Sequence, residues 1–156
     1  MPSPTELIAA YTHGIALLQQ AIAGLSREEM LARPIAGKWS ILEVVAHIAD
    51  FEPVYADRIK RIIALELPLL LVADENEFAK HLAYHERDIM EEIHLIAAIR
   101  TSVARTLTTL PASTWQKTGI HTVKGIVTLE AMVQSCANHI SHHVPFILEK
   151  RKAMSK

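Results

Sequence analysis

Residues 129–152 read LEAMVQSCANHISHHVPFILEKRK, and the construction of this stretch decides the fold. Leu129, Met132, Val133 and Cys136 fall at helical spacing, and His139 and His143 continue the same face. Side chains three and four residues apart lie one above the other on a helix. Histidines that extend an apolar stripe are expected to point into a bundle interior rather than into water. The chain therefore reads first as helix packed on helix, with imidazoles among the packed side chains. This last helix starts near Thr128 and runs to about Lys152, with Pro145 inside it.

The upstream sequence keeps the same period. Ser3-Pro4-Thr5-Glu6 is a capping box with proline in the first turn, followed by Leu7, Ile8, Tyr11, Ile15, Leu18, Ile22 and Leu25 at helical spacing. Gly24 and the Ser26-Arg27-Glu28-Glu29 stretch close that helix, with a short turn to follow. Residues 33–39 carry turn residues and read as a linker. Ser40 and Glu43 then form a second capping box, with Trp39 and Val44 placed as a hydrophobic staple. A second helix is expected from about Ile41 to about Leu65, kinked near Ala49 to Glu52 by Pro53. Residues 66–84 are less regular, and Asp74-Glu75-Asn76-Glu77 reads as the start of a short helix. A third long helix is expected from His85 to Leu110, with Ile89, Ile93, Ile96, Arg100, Val103 and Leu107 on one stripe and Pro111 as its stop. Residues 111–127 hold two glycines and several β-branched residues. Ile120 to Val127 suits an extended connection or a short strand pair, too little for a sheet. Four long helices predict an all-α four-helix bundle. Connections of about 15 to 20 residues exceed the ~2–8 usual in simple bundles, so crossovers or a pocket mouth are expected there.

At 156 residues the chain is expected to form one domain, residues 1–156, with a substantial core. Half its residues are hydrophobic and the net charge is −1, which excludes disorder and any broad basic surface for nonspecific nucleic-acid binding. The single cysteine, Cys136, allows no internal disulfide and fits a reducing compartment. The N-terminal Met-Pro-Ser-Pro-Thr-Glu lacks the features of a signal peptide, and the longest apolar run, Leu67 to Ala73, contains Pro68 and is too short to span a bilayer. A cytoplasmic protein without membrane contact is expected.

Chemistry concentrates on three histidines. An i, i+4 pair such as His139 and His143 can clamp one ion from adjacent turns, although the same spacing also fits two satisfied core or surface histidines. His47, in the second long helix, is the candidate third ligand. Three neutral imidazoles leave at least one coordination position open, a geometry that suits Zn²⁺, Ni²⁺ or Fe²⁺ alike. Glu43 and Asp50 flank His47 on one side of its helix, so either carboxylate is a candidate acceptor for its free ring N–H or a proton shuttle. For Glu43 the capping role competes. Arg100, on an otherwise apolar stripe, is either paired with a carboxylate such as Glu43 or Asp50, or is an anion clamp for a bound cofactor or substrate. Cys136 reads as a small core residue. His142 is rotated about 100° from His143 and is expected to face another helix or solvent. No phosphate loop, CxxC pair, nucleophile elbow or zinc-finger spacing occurs.

The run Gly37-Lys38-Trp39-Ser40-Ile41-Leu42-Glu43-Val44-Val45-Ala46-His47-Ile48-Ala49-Asp50 resembles the first signature of the DinB-like (damage-inducible, YfiT-type) superfamily. His139-Ile140-Ser141-His142-His143 resembles its second, a histidine pair in the fourth helix. The resemblance spans nearly the whole chain. It implies a four-helix bundle of up-down-down-up topology and a divalent metal on His47, His139 and His143. It also implies a homodimer and, by analogy with thiol S-transferases and a thiol-dependent maleylpyruvate isomerase among its members, a low-molecular-weight thiol as a partner of the small-molecule substrate. Two departures bear on substrate preference. Val144-Pro145-Phe146 stands where a glutamine often follows the histidines, and Ile140 stands where relatives often carry a polar residue. The expected function is a divalent-metal-dependent enzyme that turns an activated thiol or water on a small electrophile. The competing expectations are a non-catalytic, stress-associated metal-binding bundle, or a plain helical dimerisation protein.

Overall fold

The computed structural model describes residues 2–155, and six helices and three short strands account for most of them. Helix α1 spans Pro4–Ile22, α2 Arg27–Leu31, α3 Ile41–Ala64, α4 Glu75–His81, α5 Ile89–Leu107 and α6 Leu129–Met154. Strands β1 (Leu69–Leu70), β2 (Thr118–His121) and β3 (Gly125–Thr128) lie in the connections. Three of the helices open on capping boxes, Ser3 with Glu6, Ser26 with Glu29 and Ser40 with Glu43. In each, the serine hydroxyl accepts the N3 amide while the glutamate accepts the serine amide, so two otherwise orphaned donors are satisfied at once. Helices α3 and α6 continue through Pro53 and Pro145.

Packing fixes the direction of the four long helices. On α1 and α6 contacts climb together: the Gly14 backbone lies against Ile140, and the Ala21 and Ala23 carbonyls accept from Arg151. These helices therefore run parallel. On α3 and α6 they run in opposition, since His47 meets His143 while Tyr55 meets Ser135. On α3 and α5 they climb together again: Glu52 meets Arg100, and Ala56 and Lys60 share a groove with Ile99 and Val103. Up for α1 thus gives down for α3 and α5 and up for α6. Two neighbours that run parallel need a connection that travels the length of the bundle, and residues 65–88, with β1 and α4, supply it. The long link anticipated at residues 66–84 has this cause, whereas the one at 111–127 joins antiparallel α5 and α6 and is taken up by β2 and β3.

Three details differ from the sequence reading. Helix α5 starts at Ile89, because Asp88 accepts from the amides of Met90 and Glu91, while Tyr84–Glu86 forms a separate 3₁₀ turn. It also ends at Leu107, before the expected Leu110. Residues 111–127 do form part of a sheet: β2 pairs antiparallel with β3 and parallel with β1, in the order β1-β2-β3.

The core has two apolar clusters. One gathers Leu7, Tyr11, Ile59, Val103, Leu129 and Val133; the other gathers Leu18, Ile41, Val45, Ile93, Ile96 and Ile140. Between them lies one polar layer. Arg100 is fully buried and its guanidinium binds the Glu52 carboxylate, the Tyr11 carbonyl at 2.6 Å and the Cys136 carbonyl at 3.0 Å. One side chain of α5 is thereby bonded to each of the other three long helices. Gly14 makes room for it, since a Cβ there would stand 2.6 Å from an Arg100 nitrogen. Among the described residues no helix is long and apolar enough to cross a membrane.

Candidate metal centre

Helices α3 and α6 run antiparallel and bring their histidines to one point. His47 is fully buried, and its Nε2 lies 3.1 Å from the Nε2 of His139 and 3.1 Å from that of His143. All three donor atoms fall within 4.8 Å of one another. A tetrahedral ion with bonds of 2.0–2.1 Å needs nitrogens ~3.3 Å apart. The two 3.1 Å separations fit that requirement.

The rings are held by packing. Trp39 and Phe51 flank His47 at centroid distances of 5.3 and 4.6 Å, Tyr55 packs on His139 at 5.5 Å, and Phe146 lies 5.9 Å from His143. The Nδ1 atoms of His47 and His139 are buried and meet no hydrogen-bond partner among the described residues. Burial disfavours the imidazolium and lowers the pKa of His47 to about 4, with the Asp50 charge opposing. It lowers His143 to about 3 with help from His47, and His139 furthest, with help from both other rings. Neutral imidazole is the ligating form. With Nδ1 protonated, three Nε2 lone pairs converge on one spot and repel one another unless a cation lies between them. The donor set therefore fits a divalent metal ion.

His139 and His143 line a cleft of about 560 Å³, bounded also by Trp39, Phe51, Tyr55, Glu75 and Lys150, while His47 is buried and does not line it. His142 is exposed and lines the same cleft, one step around α6 from His143.

Other sequence candidates behave differently. The Asp50 carboxylate is taken by Arg87, which grips both oxygens at 2.7 and 2.9 Å, and it reaches His47 only through its charge. Glu43 caps its own helix through the Ser40 amide and pairs with Arg33. Burial pushes its carboxyl up, but the bonds from Arg33 and Ser40 outweigh that and hold it below the usual range. Neither carboxylate hydrogen-bonds a histidine of the triad, and neither lines the cleft. Arg100 is likewise no cofactor clamp. It is enclosed in the polar layer, and its partner is Glu52 rather than Glu43 or Asp50. The carboxylate that does stand at the triad is Glu75, at the start of α4, 4.0 Å from the His47 Nε2 and half exposed to the cleft. The short acidic helix was legible in the sequence, but nothing local says that the crossover lays it over the histidines.

Comparison with known proteins agrees with this geometry. The model of the DinB superfamily matches residues 10–147. A protein of Oceanobacillus iheyensis with the provisional name metal-dependent hydrolase is 28% identical over 138 residues, 87% of this chain and 80% of that one. Among solved structures, YfiT of Bacillus subtilis, described as a probable metal-dependent hydrolase with an unusual four-helix bundle topology, superposes with a TM-score of 0.90. It covers 97% of this chain and 87% of its own at 23% identity. A mycothiol-dependent maleylpyruvate isomerase superposes with a TM-score of 0.72 at 11% identity, over 92% of this chain and 60% of its own.

Proposed function

From the premise that this chain belongs to the DinB superfamily, we propose that it is a divalent-metal-dependent hydrolase acting on a small electrophilic molecule. The observation that carries the proposal is the triad itself, three converging imidazole nitrogens of which the His139 and His143 rings line a cleft large enough for a small substrate. His47, His139 and His143 hold the ion, which is Zn²⁺, Ni²⁺ or Fe²⁺. A divalent ion so held supplies Lewis acidity at an open position, enough to bring the pKa of a water or thiol there towards neutrality. Glu75 accepts the proton that the nucleophile gives up and passes it to the leaving group, a role its place beside His47 and its access to solvent allow. Trp39, Phe51 and Tyr55 keep bulk water from the rings on their packed side.

A thiol in place of water is the second reading. It is favoured by the fold shared with a mycothiol-dependent isomerase and by a cleft of about 560 Å³, which has room for a low-molecular-weight thiol beside a small substrate. A homodimer and a cytoplasmic location are part of the same proposal.

Metal analysis by mass spectrometry tests it, on protein purified without an affinity tag and on a variant with alanine at 47, 139 and 143. One metal per chain in the first and none in the second is expected, with ester or thioester hydrolysis following the metal. No metal in either after reconstitution with Zn²⁺ and Ni²⁺ rejects the proposal.

A further inference from the structure

We propose that the end of the cleft beyond His143 is a carboxylate subsite built on Lys150 and Lys38, so that the substrate is a small molecule with a terminal carboxylate. The inference rests on reading this cleft as the reaction site and adds what the cleft selects. Lys150 is only 3% exposed, and it lies seven residues after His143. Seven residues are two helical turns, so both side chains leave the same face of α6 with ~10 Å of rise between them. Both line the cleft.

Among the described residues the Lys150 ammonium has no anionic partner. Its Nζ donates to the Phe146 carbonyl of its own helix at 3.1 Å, and no carboxylate of the described residues pairs with it. A buried charge is ordinarily paired, because removal from water is costly. Here burial lowers the pKa of the ammonium, the neighbouring Lys38 charge lowers it further, and Glu149 opposes without closing an ion pair. Lys38 and Glu149 line the same cleft, are exposed, and act on Lys150 through their charges. Two ammonium groups against one carboxylate leave a single positive charge, which suits one carboxylate group at the end of a molecule, as at either end of glutarate. A dianionic phosphate is usually gripped by the fork of an arginine, and none lines this cleft. The aliphatic stem of Lys150 could pack for its own sake, as lysine stems do. That role does not need the charge, and the two roles separate on substitution.

The test uses the full chain stripped of metal, titrated with glutarate and with its neutral analogue glutaramide, and followed by backbone amide NMR. Glutarate is expected to shift residues 37–39 and 149–151 saturably, and glutaramide is not. Lys150→Met should weaken glutarate binding at least tenfold and raise Tm, because it keeps the stem and deletes an unpaired buried charge. Lys38→Met, at an exposed site, should weaken it severalfold. Unchanged glutarate affinity in Lys150→Met, or equal shifts with glutaramide, overturns the subsite. Because these titrations need neither metal nor turnover, a failed metal analysis leaves their result standing. Metal-loaded protein that fails to bind glutarate overturns the subsite alone.

Discussion

Three imidazoles in a mostly apolar corner resist protonation, and that resistance has a sign. In the unfolded chain histidine takes up its proton near pH 6.5, whereas burial delays this to about 4 for His47 and about 3 for His143. Between those values the unfolded state binds more protons, so acid favours unfolding. The stability of the metal-free protein should be full above pH 6.5 and fall as the pH drops through 4 and 3, with His139 the last of the three rings to take up its proton. Urea midpoints from pH 7.5 to 3.5 measure this, and the slope should flatten in the triple-alanine variant. Glu75 makes a second prediction at this scale. Glu75→Gln keeps size and helix position but cannot hold a proton, so kcat should fall by ~10²–10⁴ while metal content stays at wild type. Loss of metal instead would make Glu75 a ligand. The histidines were legible because helical spacing tells which residues share a face, and the family signatures supply His47 as their partner. Glu75 and Lys150 were not, since one depends on where a crossover lands and the other on an anion that fails to appear.

At the scale of elements, the polar layer of Arg100 and Glu52 governs how the four helices meet. Both side chains are fully buried, and the guanidinium also satisfies two carbonyls in mid-helix. Removing one member of such a pair strands the other charge, at a cost of ~3–5 kcal/mol, while replacing both with apolar residues is often neutral or better. Glu52→Gln should therefore lose ~3–5 kcal/mol in urea unfolding, and Glu52→Leu with Arg100→Met should recover most of it. If the double variant is as weak as the single one, the layer is holding the bundle in register and not merely satisfying itself. Arg100 stood out in the sequence as a charge on an apolar stripe, but its partner did not. Glu43 and Asp50 drew attention because they neighbour His47, and each turned out to be engaged by an arginine, Arg33 and Arg87, from a connecting segment. Strand β1 escaped notice for a related reason. Two residues after Pro68 carry no period, and β1 exists only because β2 lies beside it.

At the scale of the whole molecule, the site joins elements that the chain separates. The candidate ligands come from antiparallel α3 and α6, and α4, which brings Glu75, belongs to the crossover between α3 and α5. Four helices and their period could be read from the sequence, and the up-down-down-up order came from family resemblance. The physical reason for that order, a parallel α3 and α5 tied by Glu52 and Arg100, is visible only in three dimensions. An ion bound to His47, His139 and His143 acts across that arrangement as a crosslink between α3 and α6, and it binds the folded chain far better than the unfolded one. Free metal at 100 times its Kd then adds ~2.7 kcal/mol. For a chain of this length each kcal/mol moves Tm by ~2–4 °C, so reconstitution should raise Tm by ~5–10 °C over chelator-treated protein. Calorimetry on stripped and Zn²⁺-loaded samples reads this directly. The shift should vanish in the triple-alanine variant and persist in Glu75→Gln and Lys150→Met, which lie outside the ligand set. A shift that survives loss of all three histidines would place the metal elsewhere and separate stability from the cleft.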